Sequence, residues 1–134
     1  MNYDYLGDDA FCNAMKRMCE EQNKKYIKPT SVTILKIDHG KSLVDLKWFP
    51  NLKNLQLAAT DLENLKELAK LPRLTALSLE ACDIRDTSVI WELKHLSSLR
   101  ICLSDIGGAM CLKKLDKLKE LTLDEIDLPS STGL

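Results

Sequence analysis

Residues 52–62 read LKNLQLAATDL, and the spacing of leucines in that stretch, L-x-x-L-x-L-x4-L, sets the fold. The same spacing returns at 74–84 (LTALSLEACDI), 96–106 (LSSLRICLSDI) and 118–128 (LKELTLDEIDL), each copy 22 residues after the last. All sixteen positions of the four copies are Leu or Ile: Leu52, Leu55, Leu57, Leu62 and their equivalents up to Leu118, Leu121, Leu123 and Leu128. The second half of the unit keeps the same register through Leu65, Leu68, Leu71, then Thr87, Ile90, Leu93, then Ala109, Leu112, Leu115. A shorter copy of 20 residues precedes them, with Val32, Leu35, Ile37, Leu43, Leu46 and Phe49.

Two periods coexist in each unit. The alternation Leu55-x-Leu57, repeated at Leu77-x-Leu79, Leu99-x-Ile101 and Leu121-x-Leu123, is that of a short strand with one buried face. The spacing of three that follows suits a helical or 3-10 segment with one apolar stripe. A single unit of strand, turn and helical return cannot bury its own inward face. Stacking successive units about 4.8 Å apart pairs the strands in parallel and closes a continuous leucine core.

These residues resemble the 22-residue class of leucine-rich repeats, as in bacterial internalins and eukaryotic regulators of type-1 protein phosphatase. The resemblance covers residues 32–128. It implies an α/β fold: a right-handed leucine-rich repeat solenoid of about five coils, with parallel short strands and helical or 3-10 returns. Residues 1–31 then form an N-terminal capping helix and linker, and 129–134 a short C-terminal tail. In that family a ninth-position Asn builds a hydrogen-bonded ladder along the turns. Here the ninth positions are Thr60, Cys82, Ser104 and Ile126, so the ladder is expected to be weaker, and weakest towards the C-terminus.

Composition narrows the function classes. Among 134 residues, 19 basic and 20 acidic side chains leave a net charge of −1, which gives no global attraction to nucleic acid or anionic lipid. Only seven residues are aromatic, which argues against a stacking surface for bases or sugars. Five cysteines, an odd number without metal-like spacing, fit free thiols in a reducing compartment. The first nine residues hold three Asp and no apolar run, unlike a secretory signal, and no run approaches the length of a membrane span. A cytoplasmic setting is expected, whether native or reached as an effector delivered into a host cell.

No catalytic constellation emerges. His39 and His95 fall on different sides of the coil, and G-x-S-x-G, CxxC, HExxH and P-loop patterns are all missing. Gly107-Gly108 reads as a loosened turn rather than a phosphate cradle. Asp61, Asp83, Asp105 and Asp127 recur at the tenth position, and two readings stand: a cation row, or carboxylates accepting backbone N–H groups at the start of each helical segment. No cofactor or metal ligand is assigned.

The resemblance places the residues flanking the strand leucines on an open, concave face. The candidate partner-binding residues are Lys36, Asp38, Asn54, Gln56, Ser78, Glu80, Arg100, Cys102, Thr122 and Asp124. Arg100 is the strongest candidate anchor, because binding hot spots favour Trp, Tyr and Arg; its alternative role is a surface ion pair with Glu80. Cys102 is expected to project from the open face as an oxidisable thiol. Trp91 stands either in the core or in a second contact patch. The expected function is therefore a non-enzymatic protein–protein interaction module acting as adaptor, regulator or effector. The alternative is a structural subunit that self-associates, as a homodimer, through an open C-terminal strand edge.

At the N-terminus, residues 8–23 (DDAFCNAMKRMCEEQN) predict an amphipathic helix capped by Asp8 or Asp9, with Phe11, Met15, Met18 and Cys19 towards one side. Its expected task is to cover the first coil. Lys24, Lys25 and Lys28 around Tyr26 read as a solvated linker.

Overall fold

The computed structural model describes residues 3–60, 65–84, 88–102, 105–106 and 115–124. Five strands of five residues, β1 (Ile34–Asp38), β2 (Asn54–Ala58), β3 (Ala76–Glu80), β5 (Ser98–Cys102) and β7 (Glu120–Asp124), pair in parallel in the order in which they occur. A second, two-stranded parallel ladder joins β4 (Asp83–Ile84) to β6 (Asp105–Ile106). Helix α1 (Asp9–Glu21) and a 3-10 turn at Pro29–Ser31 precede β1, and 3-10 turns at Val44–Trp48 and Leu65–Lys70 and the short helix α2 (Ser88–Trp91) lie between strands. The class is α/β with a parallel sheet.

Register follows the repeat. Leu35 pairs with Leu55, Leu55 with Leu77, Leu77 with Leu99 and Leu99 with Leu121, so equivalent leucines face one another across every ladder. A slip of one residue would turn each leucine to the opposite face, so burial of one face locks the pairing. Leu35, Ile37, Leu55, Leu57, Leu77, Leu79, Leu99 and Ile101 are all buried. The returns complete the core with Leu43, Leu46 and Phe49, then Leu65, Leu68 and Leu71, then Ile90 and Leu93. A spacing of three suits the 3-10 form because residues i and i+3 eclipse there, placing successive leucines in one line.

Each unit re-enters the sheet through the same turn. The N–H groups of Leu52, Leu74, Leu96 and Leu118 donate to the carbonyls three residues back, those of Phe49, Leu71, Leu93 and Leu115. Each long strand from β1 to β3 is left through a residue with positive φ: His39 (59°), Ala59 (47°) and Ala81 (53°). In each case the N–H donates to the last carbonyl of the next strand, Ala58, Glu80 and Cys102 respectively. The ninth-position ladder is present where it is described. Thr60 Oγ1 donates to the Ala58 carbonyl (2.9 Å) and accepts from Gly40 N–H (3.4 Å). Cys82 Sγ makes long contacts to the Glu80 and Leu57 carbonyls (3.3 and 3.5 Å). At Gly40 a side chain would crowd both Ile37 and Thr60, each 3.0 Å from a Cβ placed there. Ser104 and Ile126 lie outside the described residues.

The N-terminal helix runs within the expected 8–23, over Asp9–Glu21, and buries Phe11, Ala14, Met15 and Cys19. Asp8 is its N-cap: Oδ1 accepts from Ala10 N–H at 3.0 Å. The same carboxylate reaches across to accept from Lys41 and Ser42 N–H (2.6 and 3.1 Å). Asp45, also buried, returns the clasp by accepting from Gly7 and Asp8 N–H (2.9 and 2.8 Å). Two carboxylates far apart in sequence thus satisfy five backbone donors and tie the helix start to the loop after β1. Arg17 seals the outer edge of β1, donating from Nη2 to the Lys36 carbonyl at 3.0 Å.

Candidate functional site

The side of the sheet opposite the leucines carries three rows, set by the pairing register. The first row is Ile34, Asn54, Ala76, Ser98 and Glu120. The second is Lys36, Gln56, Ser78, Arg100 and Thr122. The third is Asp38, Ala58, Glu80, Cys102 and Asp124. These rows hold all ten candidate binding residues, brought together because strand parity alternates every residue between core and solvent. Both cations stand in the middle row, about 14 Å apart across three strand spacings. Three carboxylates stand in the row beside them. The centre of the surface, Asn54, Gln56, Ala58, Ala76 and Ser78, is uncharged and half-buried.

Two of these residues depart from expectation. Cys102 is 5% exposed, which corrects its expected role as an open, oxidisable contact residue. Its parity directs it away from the leucine core, and it stands outside the contiguous core cluster, but neighbouring atoms close over it all the same. Asp38 is already engaged: its carboxylate lies 3.6 Å from Arg17 Nη1, so α1 uses it to hold the first strand.

Arg100 is exposed, and among the described residues its guanidinium makes no ion pair. The alternative pairing with Glu80 is not formed. Those two residues are diagonal neighbours on adjacent strands, where Cα atoms sit roughly 8 Å apart, and both side chains extend into solvent. Among the described residues, then, a planar cation without an ion-pair partner stands between Ser78 and Thr122, with Glu80 and Asp124 diagonal to it.

Other expected sites resolve differently. Trp91 is 1% exposed and belongs to the core, which settles its two readings in favour of packing. Asp83 lies in the short strand β4. Asp105 lies in β6, paired with Asp83. Asp61, Asp127 and Gly107-Gly108 lie outside the described residues, as do the side chains of Asp83 and Asp105. Among the described residues no three His, Cys, Asp or Glu side chains come together as a metal site.

His39 sits at the end of β1, three strands away from Cys102 in β5. A cleft of about 300 Å³ between the second and third returns is lined by Leu71, Pro72, Leu74, Leu93 and His95, remote in register from both. The buried thiol of Cys82 has its pKa raised by burial, which keeps it protonated and unreactive near neutrality.

One surface was not legible beforehand. Four of the seven aromatic residues meet at the N-terminal end. Tyr26 stacks on Tyr3 (centroids 4.9 Å apart) and Tyr5 packs edge-on against Trp48 at 5.0 Å. Tyr5 and Trp48 are each 39% exposed, and Lys47 Nζ lies 5.4 Å from the Trp48 ring centroid. Tyr3 is buried, donates to the Ile27 carbonyl (2.9 Å) and accepts from Ile27 N–H (2.8 Å). Burial pushes its phenol pKa up to about 12. The ring contacts of Tyr3 with Tyr26 and of Tyr5 with Trp48 link positions more than 20 residues apart, so no local motif announces them.

No protein-family model matches the chain, and no curated protein matches it significantly. Among the described residues no helix is long and apolar enough to cross a membrane.

Proposed function

We propose that this protein is a non-enzymatic protein-interaction module. In this reading residues 32–128 form a right-handed solenoid of leucine-rich repeats of the 22-residue class, and residues 1–31 cap its first coil. A protein partner binds across the solvent face of the strands, in a cytoplasmic setting, and the module acts as adaptor, regulator or effector. The observation that carries the reading is Arg100, exposed and without an ion pair among the described residues in the middle row of the sheet, with Lys36 three strands away. Arginine is enriched among binding hot spots because its fork of donors matches carboxylates and backbone carbonyls at little ordering cost. A strip of five strands is only about 20 Å across, which supports an interface of standard size at most.

The test is capture of partners from native lysate by the immobilised chain, read by mass spectrometry. Lys36→Glu combined with Arg100→Glu should abolish capture of the specific partner and leave the melting temperature unchanged. Undiminished capture by the charge-reversed chain would remove the strand face from consideration.

A second reading is favoured by one observation: Leu121, in the last strand, is 39% exposed. In that reading the chain is a structural subunit that self-associates through the C-terminal edge, and Leu123→Asp lowers the mass seen by light scattering.

A further inference from the structure

Among the described residues β7 is the edge strand of the sheet, and its apolar positions are incompletely covered. The position held by Leu35, Leu55, Leu77 and Leu99 at 0–2% exposure is held there by Leu121 at 39%. Among the described residues β7 pairs with β5 alone, so the N–H and C=O groups along its other side form an open ladder. Along the strand the side chains read Glu120, Leu121, Thr122, Leu123, Asp124. Two leucines point to the core side, and a carboxylate stands at each end of the solvent side.

A second copy fits this edge poorly in either symmetry. A two-fold pairing of β7 with itself is antiparallel, and with the strands fully overlapped Thr122 faces Thr122 and Glu120 faces Asp124, twice over. Like charges directly opposite are destabilising. A head-to-tail pairing would set β7 against β1, matching Leu121 to Leu35 and Leu123 to Ile37. That edge is already taken: α1 packs on β1 and Arg17 occupies the Lys36 carbonyl. The same register would also place Asp124 against Asp38.

We propose that β7 accepts an added strand from a different protein, an extended segment patterned basic–apolar–polar–apolar–basic. This shares only the surface with the second reading above: the edge stays the assembly site, a different protein replaces the second copy, and a monomeric free chain counts against self-association. Two apolar side chains of the incoming strand cover Leu121 and Leu123, its backbone completes the ladder, and its cations face Glu120 and Asp124. Since β7 is chemically symmetric about Thr122, the pattern matches in either direction, and the antiparallel one is slightly favoured per residue.

The test uses the full chain and a blocked, fluorescent nonapeptide centred on Lys-Ile-Thr-Ile-Lys, read by anisotropy, with sedimentation giving the mass of the free chain. The expected result is a monomer that binds this peptide saturably and roughly tenfold more tightly than its Glu-Ile-Thr-Ile-Glu counterpart. Glu120→Lys with Asp124→Lys should invert the preference. N-methylation of alternate peptide amides should abolish binding in one phase and spare it in the other, because only every second amide faces β7. A wild-type dimer would overturn the proposal in favour of self-association. A monomer that binds neither peptide, or binds both alike, would overturn both readings of the edge.

Discussion

The two ends of the sheet are built from the same repeat and differ in what lies on them. At β1, helix α1 packs on the first strand and buries Phe11 and Met15, Arg17 takes up an edge carbonyl, and the Asp8–Asp45 clasp fixes the helix start. At β7 the equivalent leucine is two-fifths exposed. Leu35 and Leu121 occupy the same repeat position, so the difference is not in their own spacing. Burial in a stacked sheet is conferred by the next layer, and among the described residues β7 has a neighbouring strand on one side only.

Phe11→Ala is the largest predicted breach of this contrast. Phe11 is fully buried beside Phe49, with ring centroids 6.0 Å apart, and its loss should cost about 3–5 kcal/mol in urea unfolding. Leu121→Ala, at the other end, should cost less than about 1.5 kcal/mol, since much of its transfer free energy is never gained. Equal costs at the two ends would erase the distinction.

Asp45→Ala comes next. It strips acceptors from the Gly7 and Asp8 N–H groups and should destabilise by about 1–3 kcal/mol. Hydrogen exchange sharpens the point: residues 8–15 should lose protection in this variant while β7 amides, already the faster to exchange, stay as they were.

Alkaline pH probes the same end through Tyr3. Its phenol ionises near 10 when unfolded and about 12 when folded, so the unfolded chain loses its proton first. The Tyr3 contribution to stability should therefore be fully present below pH 10 and be lost as pH rises from about 10 to about 12. Tyr3→Phe, followed by denaturant unfolding at each pH, should flatten that part of the curve.

The smallest effect is expected between the ends. Ala59 and Ala81 hold left-handed backbone at the strand exits, φ 47° and 53°. Ala59→Gly should stabilise by about 0.5–1 kcal/mol, because glycine adopts that conformation without steric cost. Thermal melting decides it. A loss of stability there would mean that the alanine methyl packs more than the backbone strains.

Much of the fold was readable in one dimension. The alternation at Leu55-x-Leu57 and its copies named every long strand and its register, and the spacing of three named the 3-10 returns at Val44–Trp48 and Leu65–Lys70. These succeed because a period in sequence is a direction in space once the backbone conformation is regular. The candidate surface was half legible. Parity put Lys36, Gln56, Ser78 and Arg100 on one line, but parity says which way Cys102 points and not what covers it. Tyr5 with Trp48, and Asp8 with Asp45, were beyond reach, since they unite segments roughly 40 residues apart through single contacts rather than through a repeated pattern.

The amino-acid order alone thus determined strand identity, register and the split between an apolar and a polar side of the sheet, because hydrophobic burial at a fixed period admits one solution. Tertiary structure alone decided which polar-side residues are free. Arg17 claims Asp38, Cys102 is enclosed, Arg100 stays open, and Leu121 is left with half a neighbourhood. Those outcomes depend on atoms arriving from distant parts of the chain, whose arrival no local spacing encodes.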